Sequence, residues 1–194
     1  MAGGGVRFWE RFSTREALFI GFCATFVVLG RAALRLHLHV PGHAAASLAF
    51  FLLLARACVP RFGAATLAGA IAGVLVAVLG LGTGGPLLVL RLLVPGLLID
   101  LGATLAPRFA TRPLICAAIA AVAGSMRGLV FAPLELVLGV NPDLALAHAL
   151  VSAAGGAAFG ALGGALVPSV YRRLAAHQLL PGPGSDESTG GALS

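Results

Sequence analysis

The chain contains no lysine. Its cationic side chains are therefore thirteen arginines, set against seven acidic residues, and charged residues make up only 10% of the whole. A water-soluble domain carries about a quarter charged residues, so there is too little charge here to cover a surface facing water. Cysteine is scarce too. Cys23, Cys58 and Cys116 each fall inside an apolar run with no paired spacing, which reads as small apolar filler and excludes a disulfide framework. Catalytic patterns are missing: there is no zincin motif, no pair of aspartates and no phosphate loop, and Ser125 in "GSMRG" forms no nucleophile elbow. What fills the chain instead is apolar. At 59% hydrophobic residues and a mean hydropathy of +1.00, it belongs in a bilayer.

A bilayer-spanning helix needs about 20 residues, and shorter ones of about 17 suffice. The apolar runs, cut by proline and glycine, predict six such helices near 16–36, 44–59, 63–82, 86–106, 113–138 and 143–174. Ser13-Thr14-Arg15-Glu16 opens the first as a capping box, and Pro95-Gly96 marks a kink in the fourth. The first apolar stretch runs straight into Arg31 and Arg35, so it is expected to stay as a helix, not to be cleaved. The expected organisation is an interfacial segment over 1–15, a six-helix membrane domain over 16–174, and a disordered tail over 175–194.

The arginines test this division. Arg7, Arg11, Arg15, Arg56, Arg61, Arg108, Arg112, Arg172 and Arg173 all fall on one side under six spans. The connections "GTGG" and "GVNPD" carry none. By the positive-inside rule both termini are cytoplasmic. Single arginines between apolar runs are topology signals, so no nucleic-acid partner is expected.

Lipid gives helices no hydrophobic reason to associate, so close packing through small residues supplies much of the drive. Such stripes occur in helix 3 (Ala65, Gly69, Gly73, Ala77), helix 5 (Ala120, Gly124, Gly128) and helix 6 (Ser152, Gly156, Gly160, Gly164), where they read as internal packing. The stripe Ala17, Gly21, Thr25 on helix 1 lies in the cytoplasmic half, where a partner subunit could dock.

A charge inside hydrocarbon costs about 2.5–3.5 kcal/mol even on lenient scales, so each one needs a partner or a purpose. At about 1.5 Å per residue, Arg31, Arg91, Arg127 and His148 all lie in the outer part of the membrane. Arg35, Glu135 and Asn141 crown the same side. So do His37, His39 and His43 in "LHLHVPGH", the first outward-facing loop. Four arginines against one glutamate favour a ligand bearing carboxylate or phosphate. A metal site on His37, His39 and His43 is the alternative. No acid or cysteine accompanies those histidines, and nearby arginines repel a cation. Asp100 lies about 21 Å down helix 4, level with Arg56, and reads as its ion-pair partner.

Residues 60–103, "PRFGAATLAGAIAGVLVAVLGLGTGGPLLVLRLLVPGLLIDLGA", join a Gly-rich helix, a Gly-Pro turn and "LLVPGLLIDL". In that order, and with six short helices and small-residue stripes, the chain resembles the substrate-binding S-component of energy-coupling factor (ECF) transporters over about 16–174. The resemblance implies a small vitamin-like ligand, a transmembrane coupling subunit docking on Ala17, Gly21 and Thr25, a pair of ATPases as partners, no cofactor of its own and a bacterial or archaeal inner membrane. It also implies a first outer loop that closes over the ligand. The nickel and cobalt members begin with Met-His, and "MAGGG" does not. Two other classes stay open: a membrane enzyme using Ser125, Arg127 or His148, and a scaffold subunit packing through its glycine stripes.

Overall fold

A computed structural model describes residues 12–37, 43–81, 87–137 and 141–179. Among them are six α-helices and one 3-10 turn, and no strand. They are α1 (Thr14–His37), α2 (His43–Cys58), α3 (Ala64–Val78), α4 (Leu87–Leu105), α5 (Pro113–Val137) and α6 (Pro142–Ala176). The 3-10 turn Phe109–Thr111 joins α4 to α5. Three stretches, Thr14–Ala33, Leu88–Leu105 and Pro142–Ala176, are long and apolar enough to cross a bilayer, and shorter apolar helices accompany them. This is an all-helical membrane protein.

The helix positions agree with the apolar runs. The ends correct three expectations. His37 is the last residue of α1 and His43 the first of α2, so neither belongs to the connecting loop. α3 stops at Val78, where Gly80 at φ 62° takes a left-handed turn that ends the helix. α6 runs to Ala176, past the expected start of a disordered tail, since "RRLAA" is good helix-forming sequence. Residues 1–11 and 180–194, the greater parts of the expected interfacial segment and tail, lie outside the described residues.

α2 is the centre of the bundle. From Ala45 to Val59 no residue is exposed, and α2 packs on each of the other five helices. A helix that is apolar all round must be covered all round, which "AAASLAFFLLLA" already signals. Leu52, Leu53 and Ala55 are fully buried there, beside Ile20, Cys23 and Ala24 of α1.

Around α2 the helices pair antiparallel through glycine. A Cβ on Gly96 would lie 2.5 Å from the Ala65 carbonyl, and one on Gly73 would lie 2.8 Å from the Val89 Cα. α3 and α4 therefore touch backbone to backbone. α5 and α6 do the same: Gly124 and Gly156 face each other's carbonyls, Gly128 abuts Ala149 and Gly160 abuts Ala120. The stripes of α3, α5 and α6 are internal packing, as the sequence suggests.

α1 behaves differently. Ala17 and Thr25 are exposed, and a Cβ on Gly21 would meet nothing within 4 Å. Leu18, Phe22 and Leu29 beside them are 70%, 55% and 54% exposed. The small-residue stripe of α1 faces out of the bundle.

Candidate functional site

Two polar regions stand at different levels of this apolar bundle. The nearer one sits where α1, α3 and α5 begin. Arg56, near the end of central α2, points its Nε at Asp100 Oδ1 across 3.2 Å. Asp100 is fully buried. Its Oδ2 accepts from Thr66 N at 2.8 Å and from Thr66 Oγ1 at 2.6 Å, while Oδ1 accepts from Ala65 N at 3.3 Å. These are first-turn amides of α3, which opens on Gly63 at φ 98° with no side-chain cap of its own. A helix start leaves several N–H groups without partners and carries partial positive charge. Asp100 therefore caps α3 from another helix while pairing with Arg56. Arg56 Nη1 also donates to the Val59 carbonyl at 3.4 Å, which ties the α2–α3 turn into the same knot.

A second pair closes the same end. Glu16 Oε2 accepts from Ser13 N at 2.8 Å, completing one half of the capping box. Ser13 Oγ takes its bond from the Arg15 amide, one position earlier than the pattern implies. Glu16 itself is buried and pairs with Arg61 Nε at 3.1 Å. Both described carboxylates at this end are thus engaged with the α2–α3 turn. Every donor around Asp100 comes from a structural element end, and the knot reads as architecture.

The other region follows a cavity. Ala45, Leu48 and Ala49 of α2, Pro95 and Ile99 of α4, and Ala123 and Gly124 of α5 line a space of about 10 Å³. That is about the room of one water, and its apolar walls leave such a water no partner. Its value lies in registering the helices. Arg91 stands one turn before Pro95 on α4, and Arg127 one turn after Ala123 on α5, both away from the Asp100 end. Gly30 of α1 abuts Ser47 Oγ of α2 at 3.2 Å, so Arg31 starts at a similar level. Gly128 against the Ala149 carbonyl, at 2.6 Å, sets the backbones of Arg127 and His148 side by side.

No family model, characterised protein or solved structure matches the chain.

The backbones of Arg31, Arg91, Arg127 and His148 therefore form a belt within about one helical turn, roughly 5 Å, of the cavity. Arg31 and Arg91 are half-buried and His148 is exposed. All three have interaction partners. Asn141 has a different task from the one expected: its side chain accepts from Asp143 N at 3.0 Å and caps α6, with Pro142 next in line. Arg35, His37, His43, Arg127 and Glu135 are placed in helices by their backbone, while their side chains, and all of His39, lie outside what is described. Among the described residues no three His, Cys, Asp or Glu gather as a metal site.

α2 begins only two residues before the cavity, at His43. α4 continues from Pro95 back to Leu87, about 12 Å, and α5 from Gly124 to Val137, about 20 Å. The arginine belt thus lies beyond the start of α2, on helices that outreach it. The sequence missed this shortness of α2 as a positioning device, although its 16-residue length was readable.

Proposed function

We propose that this chain is the membrane-embedded substrate-binding subunit of an ECF-type ATP-driven importer. The observation that carries the reading is the contrast between stripes. Where small residues serve the bundle, on α3, α5 and α6, neighbouring backbone fills them. On α1 the stripe Ala17, Gly21, Thr25 stands open beside exposed Leu18 and Phe22. A transmembrane coupling subunit docks on that face, and a pair of ATPases supplies the work. The chain itself is a transport subunit, with no reaction of its own.

In this reading the six helices all cross a bacterial or archaeal inner membrane, with both termini cytoplasmic. The ligand is small, vitamin-like or a cofactor precursor, and bears an anionic group. It enters from the outer side and rests beyond the first turn of α2. Arg91 and Arg127 hold its charged oxygens, with Arg31, Arg35, Glu135, Asn141 and His148 around them and the His37–His43 segment above. A transition-metal ion is the alternative substrate.

The test is co-expression with an ECF coupling subunit and its ATPase pair, followed by detergent purification through a tag on this chain. Recovery of a stoichiometric complex, with a retained small anion identified by mass spectrometry, supports the reading. A chain that never assembles and releases no small molecule overturns it.

A further inference from the structure

The end of the bundle that holds Asp100 carries seven described arginines: Arg15, Arg56, Arg61, Arg108, Arg112, Arg172 and Arg173. Its two described carboxylates are consumed internally, Asp100 by Arg56 and Glu16 by Arg61. Five arginines remain with no described carboxylate to meet them there, and all five are exposed. Four of the five gather on one corner. Arg108 and Arg112 flank the 3-10 turn Phe109–Thr111, and that turn packs on both α5 and α6, whose last turns carry Arg172 and Arg173.

The corner is rigid. Phe109 is buried, and its carbonyl accepts from Arg112 N at 3.0 Å and from Cys116 Sγ at 3.1 Å. Thr111 Oγ1 donates to the Arg108 carbonyl at 3.1 Å, and Arg172 Nε to the Pro168 carbonyl at 3.2 Å. Arg112 also immediately precedes the positive end of α5. Beside these cations stand two large apolar side chains, Leu105 at 80% and Leu114 at 83% exposure. A cationic ledge directly adjoining an apolar wall matches one kind of molecule in a bilayer, a phosphate headgroup on acyl chains.

We propose that Arg108, Arg112, Arg172 and Arg173 form a headgroup site for an anionic phospholipid, whose chains lie along Leu105 and Leu114. Guanidinium forks match phosphate oxygens in pairs, and a fixed turn holds them ready without an ordering cost at each binding event. The site requires only that the chain sits in a membrane, so it is independent of the transport reading.

Native mass spectrometry of the full chain, released from detergent containing equal phosphatidylglycerol and phosphatidylcholine, tests it. Wild type should retain the anionic lipid preferentially, and added salt should weaken that preference. At about 1 kcal/mol per arginine near a charged headgroup, R108Q/R112Q should lower the preference roughly thirtyfold. R15Q, on α1, should leave it unchanged. Because all these side chains are exposed, unchanged melting behaviour will show that the variants are folded. Equal retention of both lipids by wild type, or an R108Q/R112Q variant that keeps its preference, overturns the proposal. So does a loss as large in R15Q, since the charge would then act diffusely and not at this corner.

Discussion

Arg56 and Asp100 meet at 3.2 Å between central α2 and α4, and the same carboxylate closes the open start of α3. Three helices are therefore tied by one side chain in the apolar interior. Removing one partner of a buried pair costs about 3–5 kcal/mol, because the other charge is left without compensation. Asp100→Ala should lower thermal stability in detergent by that order. Asp100→Asn should cost less, since its amide oxygen still accepts from Thr66. The double variant Arg56→Met, Asp100→Asn should be more stable than Asp100→Ala alone. Unfolding followed by circular dichroism measures all three, and additive losses would refute the coupling.

The two glycine environments give a sharper contrast. A methyl group on Gly124 would run into the Gly156 carbonyl, which is backbone and has nowhere to go. Gly124→Ala should destabilise by about 1–3 kcal/mol through overpacking. At Gly21 the same methyl meets open space, and removing a helical glycine stabilises by up to about 1 kcal/mol. The bulkier Gly21→Leu should likewise fold and bind ligand normally, yet lose assembly with a coupling subunit. Pull-down and ligand binding on the same preparation separate these. If Gly21→Leu assembles normally, lipid alone covers this face of α1.

Much of this architecture was legible because proline and glycine cut the apolar runs where helices end. The Arg56–Asp100 pair was legible too: a lone buried acid needs a cation at its own depth. The capping of α3 was not. Its donors, Ala65 and Thr66, and its acceptor, Asp100, sit on different helices, and capping rules look only at neighbours in the chain. The missing cap at "RFGAAT" was the available signal, a helix start with no Ser, Thr, Asp or Asn before it. Glu16–Arg61 was hidden for the same reason, since Glu16 already had a complete local explanation in Ser13. Asn141 shows the converse error. Its depth suggested a ligand, while the adjacent "NPD" spells an N-cap with proline after it.

Orientation follows from which charges remain exposed. Arg56 and Arg61 are neutralised by carboxylates, yet Arg15, Arg108, Arg112, Arg172 and Arg173 still mark one end. That end should be cytoplasmic, and His39 and Gly84 should face outward. Single cysteines at those two positions, in a background without Cys23, Cys58 and Cys116, should react with a membrane-impermeant maleimide in intact cells. Labelling of position 39 only after the cells are opened would reverse the orientation.

The arginine belt carries the last expectation. Arg91 and Arg127 stand one turn beyond the shared cavity on adjacent helices α4 and α5, placed there by Pro95 and Ala123. Two guanidinium groups at one level in hydrocarbon repel each other unless an anion lies between them, and each charge-assisted contact to it contributes about 1.5–3 kcal/mol. Arg91→Gln and Arg127→Gln should therefore each weaken ligand binding roughly ten- to a hundredfold, while leaving the fold intact. Replacing His37, His39 and His43 together with alanine should chiefly speed release, since a covering segment governs residence more than recognition. Isothermal titration gives the affinities, stopped-flow mixing the release rates, and a chelator is the control. Binding that survives both arginine variants but collapses with chelator would transfer the site to the histidines and make the substrate a metal ion.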